Sequence, residues 1–282
     1  MPAPRLFVLC ADDYGMTPAV SRGILRLVEA GRISATGSMT NMPAWKTAAH
    51  ELWPHDQKID LGVHLNLTCG RPLTAMKAFA PEGEFPRLPA IVARGLAGRL
   101  PLGEIEAELS AQLTEFEDSM GRTPDFIDGH QHVHAMPGVR RALAAVVARR
   151  YPAAKPYIRD AVDRLAAIRA RKVQSRKAMI VAGLARPFAA GIAPLGFRLN
   201  EGFSGYSAFD PRADYAAAFP SYLVEPGAKP LVMCHPGEID DELRRLDPAI
   251  ESRPQEIAYF LSGAFTEACE QAGMQPARFS AL

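Results

Sequence analysis

The chain has 282 residues, 48% of them hydrophobic and 22% charged, with 32 Lys+Arg against 31 Asp+Glu and a formal net charge of +1. That length suits one large α/β domain or two small ones, either able to bury a sizeable core, while the near-neutral balance argues against a dedicated nucleic-acid binder, which carries a basic excess. Glycine and proline are common but scattered, which excludes a collagen-like repeat and a disordered chain.

Residues 6–10 form a short apolar run that meets Asp12 and Asp13 at once, the pattern of a buried strand. Thr17 and Pro18 then supply a helix N-cap and a first-turn proline, Val20, Ile24, Leu27 and Val28 continue at helical spacing, and Gly31 closes the helix. Residues 34–39 read as a second strand, 44–52 as a helix and 59–67 as a third strand. The Pro- and Gly-rich stretch 69–99 reads as an inserted loop with little regular structure. Residues 104–120 place Ile105, Leu109, Leu113 and Phe116 on one stripe of an amphipathic helix that ends at Gly121. A short strand at 126–128 leads into a histidine cluster, and 139–150 is helical again. The stretch 160–191 is helical in character and basic, with Arg164, Arg169, Arg171, Lys172, Arg176, Lys177 and Arg186 facing few acids. Such a run is ordinarily a solvated helix face; the sharper reading is a surface for anionic glycan or lipid headgroups. Residues 230–234 read as a strand and 256–271 as one closing helix.

Strands alternating with helices predict a mainly parallel sheet in a single α/β domain over residues 1–282. Polar clusters follow four of the strands, and in parallel folds functional groups gather beyond the strands' carboxyl ends. Four clusters at four strand ends converge naturally on one mouth, which favours a (β/α) barrel-like fold over an open sheet. Cys10, Cys69, Cys234 and Cys269 are far apart and form no CxxC pair, so reduced thiols in a cytoplasmic protein are expected rather than a zinc ribbon or a disulfide framework. No signal peptide is read at the N-terminus, and no run of about 18 apolar residues predicts a membrane span.

Asp12 and Asp13 are adjacent carboxylates at a strand end, which repel and lose hydration if both are buried. A bound cation would relieve one and leave its neighbour free as a base; the plainer reading is a turn-capping pair. His64 ends an apolar strand, sharing a face with Asn66 while Leu65 and Leu67 point the other way. His130, His132 and His134 are three of the seven histidines at alternate positions, so extended chain would set all three imidazoles on one side, a donor cluster suited to a divalent metal. His235, just after a strand, is placed to protonate a leaving group, or simply to hydrogen-bond at a strand–turn junction.

Taken together, ADDYG at 11–15, HLNLT at 64–68 followed by GRPLT at 70–74, DGHQHVH at 128–134 and MCHPG at 233–237 resemble the YdjC-like carbohydrate deacetylases, which include chitooligosaccharide and hopanoid-associated deacetylases. The order and spacing match from near residue 5 to near residue 270. The resemblance implies a deformed (β/α) barrel and a metal-dependent hydrolase that removes acetyl from N-acetylated amino sugars. It implies Asp13, His64 and His130 as ligands of one divalent ion, zinc or magnesium, with Asp12 as general base and His235 as general acid. Tyr14, Asn66, His132 and His134 would contact substrate or back the ligands, Arg159 would orient the base or the substrate, and Phe203 would stack on a sugar ring. A soluble oligosaccharide fits this pattern. The alternatives are an N-acetylglucosaminyl glycolipid such as a hopanoid, with the 160–191 segment near a membrane, a metal-dependent phosphoesterase, and a sugar-binding protein without turnover. A homodimer is left open.

Overall fold

The computed structural model describes residues 3–282. Its eight strands are β1 (Arg5–Tyr14), β2 (Ala35–Ser38), β3 (Asp60–Leu65), β4 (Phe126–Gly129), β5 (Tyr157–Ile158), β6 (Phe203–Ser204), β7 (Leu231–Cys234) and β8 (Met274–Pro276). They form one sheet in the order β5-β4-β3-β2-β1-β7-β6, with β8 beside the start of β1. Every ladder is parallel. Parallel neighbours need crossovers, and the helices that make them cover the strands, which explains why residues 6–10 of β1 and all of β7 read as unbroken apolar runs. A parallel bridge from Ile158 to Leu199 draws the β5 edge toward the chain entering β6, so the sheet curls into a deformed barrel.

The helices form where capping and periodicity predict them. Helix Pro18–Glu29 starts with the Thr17 side chain accepting from the Val20 amide, and Gly31 follows it at φ +65°. Helix Leu102–Met120 buries Ile105, Leu109, Leu113 and Phe116 and ends at a left-handed Gly121. The same face also buries Glu108 and Gln112, which pin the chain after β3. Gln112 exchanges two hydrogen bonds with the Asn66 backbone at 2.9 and 2.7 Å, and Glu108 accepts from the Leu73 and Thr74 amides.

Three expectations need correction: the loop at 69–99, the single closing helix and the lack of a stretch apolar enough to span a membrane. The 69–99 stretch contains a helix, Leu88–Leu96, with Pro89 in its first turn. The closing helix is two, Arg253–Leu261 and Gly263–Gln271, because Ser262 is extended (φ −79°, ψ 165°). The basic stretch 160–191 is helical as expected, with helices Leu165–Arg171, Ser175–Ala185 and Phe188–Ile192. Residues Ser175–Leu195 are, by length and composition, apolar enough to cross a membrane, and only 22% of their most apolar window is buried. Arg176, Lys177 and Arg186 interrupt this stretch in sequence and hid its apolar character.

Candidate active site

Neighbouring side chains of an extended strand point to opposite faces, yet Asp12 and Asp13 both reach the same cavity. Asp13 achieves this with φ +76°, a left-handed backbone that aspartate tolerates better than most residues. Its Oδ1 lies 2.9 Å from His130 Nδ1 and 3.4 Å from His64 Nε2, and its Oδ2 accepts from Arg253 Nη2 at 2.7 Å. Asp12 is held differently. Arg159, fully buried, donates two parallel bonds to it, Nη1 to Oδ2 at 2.7 Å and Nη2 to Oδ1 at 2.6 Å. Burial alone would raise the Asp12 carboxyl, but the Arg159 guanidinium, together with the His64 imidazole, offsets that and holds it well below the usual carboxylate range.

His64 Nδ1 sits 2.6 Å from Asp128 Oδ1, and Asp128 Oδ2 in turn meets Arg159 Nη2 at 2.7 Å. The carboxylate fixes the imidazole so that Nε2 faces Asp13. Burial pulls the His64 pKa down, and Asp128, with Asp12, overrides it and lifts it to about 10. Gly37 on β2 leaves room for this pair: a Cβ there would lie 3.1 Å from His64 Cβ and 3.3 Å from Asp128 Oδ1. Asp13, His64 and His130, all buried, each offer one ligand atom within 4.8 Å of the others. Two ligand atoms each about 2.1 Å from a shared cation at tetrahedral or octahedral angles stand roughly 3–3.5 Å apart; the two distances at Asp13 Oδ1 meet this requirement. The residues fit a divalent ion. Cys10, Asp12 and Asp128 also converge, but the Arg159 guanidinium already lies against both carboxylates.

The three alternate histidines do not share a side. Gln131 (φ 53°) and His132 (φ 58°) are left-handed, so the chain turns instead of extending. His130 goes to Asp13, His132 packs edge-on against Phe203 and Tyr206 in the cavity wall, and His134 Nε2 lies 2.9 Å from the Arg159 carbonyl oxygen. His134 therefore braces the residue that clamps Asp12, and it does not reach the cavity.

The cavity, about 340 Å³, has Asp12, Asp13, His130, His132 and His235 as its polar floor and Leu88, Val181, Phe209 and Met233 among its apolar walls. It opens into a groove of about 900 Å³ with which it shares Leu88, Gln131, Asp247 and Pro248. His235 Nε2 is 3.9 Å from Asp12 Oδ2. Burial pushes the His235 imidazole down to about 4, so it is neutral near pH 7. Its backbone N–H donates to Glu256 at 2.6 Å, and burial pushes that carboxyl up to about 7.

Three expected contacts lie elsewhere. Tyr14 is fully buried and donates to the Ala48 carbonyl at 2.8 Å, away from the cavity. The Asn66 side chain ties its own loop, accepting from the Thr68 and Cys69 amides. Phe203 is 1% exposed beneath Arg159 and cannot stack on a sugar. Phe209, edge-on to His235 and bordering the cavity, occupies the place Phe203 was expected to fill. Sequence reasoning also missed Asp128 as the His64 partner and Arg253 as the Asp13 partner. The first lay inside the quoted DGHQHVH motif, and the second carries no local signal.

Residues 6–271 match the family model described as YdjC-like protein. A carbohydrate deacetylase of Geobacillus stearothermophilus is 42% identical over 137 residues, 48% of this chain and 53% of that protein. One of Mus musculus is 36% identical over 150 residues, 51% of this chain and 48% of that protein, so the chain aligns with about half the length of these two. A chitooligosaccharide deacetylase of Citrobacter koseri is 31% identical over 245 residues, covering 86% of this chain and 85% of that one. Among solved structures, an Enterococcus faecalis protein described in terms of cellobiose-phosphate cleavage superposes with a TM-score of 0.73 at 22% identity over 99% of both chains, a likeness of fold.

Proposed function

Because the chain belongs to the YdjC-like family, its match running over residues 6–271, we propose that it is a metal-dependent carbohydrate deacetylase hydrolysing the N-acetyl group of an amino sugar of the chitooligosaccharide type. The observation that carries the chemistry is the convergence of Asp13, His64 and His130 beside a further carboxylate, Asp12, that is clamped by Arg159 and left out of the convergent set. Asp13, His64 and His130 would hold one divalent ion, and two imidazoles with one carboxylate suit zinc better than magnesium. Bound there, the ion supplies Lewis acidity toward the acetyl oxygen and makes water more acidic.

Asp12, aimed by Arg159, takes a proton from water as the water oxygen bonds to the acetyl carbon. The C–N bond then breaks, acetate departs with that oxygen, and the sugar nitrogen requires a proton. His235 delivers it. A neutral imidazole must first gain the proton it gives, and the nearest source is Asp12, 3.9 Å away. Phe209 and Val181 offer the sugar ring an apolar wall. The test is acetate release from N,N′-diacetylchitobiose by metal-stripped protein, with and without added zinc or magnesium. Metal-dependent release is expected; no release with metal shown to be bound would refute this substrate class.

A further inference from the structure

Charge is segregated along this chain in a way its net value conceals. Residues 164–200 contain eight Lys+Arg and no Asp or Glu, so the remainder of the chain has 24 against 31. The same 37 residues include the apolar stretch Ser175–Leu195, of which little is buried. On helix Ser175–Ala185, Lys177 and Val181 face the cavity while Ala178 and Ala185 are buried. At 100° per residue the opposite arc holds Arg176, Met179, Ile180 and Gly183, and all four are exposed, Ile180 at 61%. Leu165, 48% exposed, lies on the preceding helix. Among the described residues, Arg169, Lys172, Arg176 and Arg186 are exposed and make no ion pair, whereas Arg164 pairs with Glu225 and Arg171 with Asp163.

We propose that this cationic and apolar face, on the outer side of the helix that walls the cavity, docks the protein on an anionic lipid surface. Exposed aliphatic side chains flanked by unpaired cations, on a segment that itself carries no acid, are the composition of interfacial helices: the apolar groups enter the acyl boundary while the cations meet lipid phosphates. A second copy of the chain is the poorer occupant, since a twofold contact through this face would set its cations against one another. The surface does not depend on the deacetylase reading, and its test does not use turnover.

The test is flotation of the full chain with vesicles of phosphatidylcholine alone or of phosphatidylcholine and phosphatidylglycerol at 3:1, in 50 and 500 mM salt. Recovery with the anionic vesicles at 50 mM is expected, falling at least about tenfold on neutral vesicles or at 500 mM. Met179→Ser with Ile180→Ser should lower partitioning about tenfold, and each cation reversed at Arg176 or Arg186 about fivefold or more. These positions are exposed, and unchanged thermal unfolding would show the variants folded. No binding to anionic vesicles at 50 mM overturns the proposal. So does binding that ignores the Met179 and Ile180 changes, or a concentration-dependent dimer in light scattering that those changes abolish.

Discussion

Replacing Asp128 with asparagine keeps the side chain's shape and removes its charge. In the folded protein Asp128 Oδ1 is 2.6 Å from His64 Nδ1 and Oδ2 is 2.7 Å from Arg159 Nη2, with all three side chains at 2% exposure or less. The carboxylate orients the imidazole and makes its Nε2 a stronger donor toward the Asp13 side. An amide oxygen can still accept from Nδ1, but without charge assistance the expected loss of metal affinity is about 10- to 100-fold, or roughly 1.4–2.7 kcal/mol. Arg159 retains both of its bonds to Asp12, so the variant should fold, with a stability cost of about 1–3 kcal/mol from the weakened buried network. The assay is a titration of metal-stripped protein with zinc against a chromophoric chelator, with acetate release followed as free zinc rises. The activity curve should move to higher zinc and recover most of its plateau. Unchanged zinc affinity in a folded variant would refute the orienting role. A plateau lowered more than about 100-fold at unchanged affinity would instead place the effect on Arg159 and Asp12.

Asp12→Asn should retain zinc and lose acetate release by about 10²- to 10⁴-fold, measured at saturating metal; full activity would remove Asp12 as the base. Gly37→Ala presses on the His64–Asp128 pair from 3.1–3.3 Å, so zinc affinity should fall with little change in the circular dichroism spectrum, and an unaltered affinity would show the pair has slack. Phe209→Ala should raise KM with a nearly unchanged Tm, whereas Phe203→Ala should cost about 3–5 kcal/mol of stability in denaturant titration; the reverse pattern would sink the cavity-wall assignment. Glu256 has a carboxyl raised from 4.5 to about 7 by burial, so the folded state holds a proton that the unfolded state has lost between those pH values. Its contribution to stability therefore falls as pH rises through that window, by a few kcal/mol at most. Thermal unfolding of Glu256→Gln should gain on the parent between about pH 4.5 and 7, and a constant difference across that range would contradict the shift.

The strand-end motifs and the alternation of strands and helices were legible because both depend on short-range pattern. Apolar runs and 3.6-residue periodicity identify strands and helices, and parallel strands necessarily deliver their carboxyl ends to one side, so Asp12, Asp13, His64, His130 and His235 had to lie near a common mouth. Helix Leu102–Met120 was readable to its last residue because Gly121 marks the left-handed stop. The 175–195 stretch was misread because charge counts along a sequence say nothing about which arc of a helix the core covers.

From sequence alone follow the alternation of strands and helices, the convergence of carboxylates and imidazoles, and the family resemblance. Only the tertiary structure decided which of those groups face one another. Left-handed torsions at Asp13, Gln131 and His132 redirect side chains that extended chain would have sent elsewhere, and residue type merely permits such torsions. The Asp13–Arg253 and His64–Asp128 pairs join positions 240 and 64 residues apart, and His134 serves the Arg159 backbone instead of a metal. Such partnerships have no local signature, because they arise when separate strands and helices pack and each buried charge must meet an opposite one.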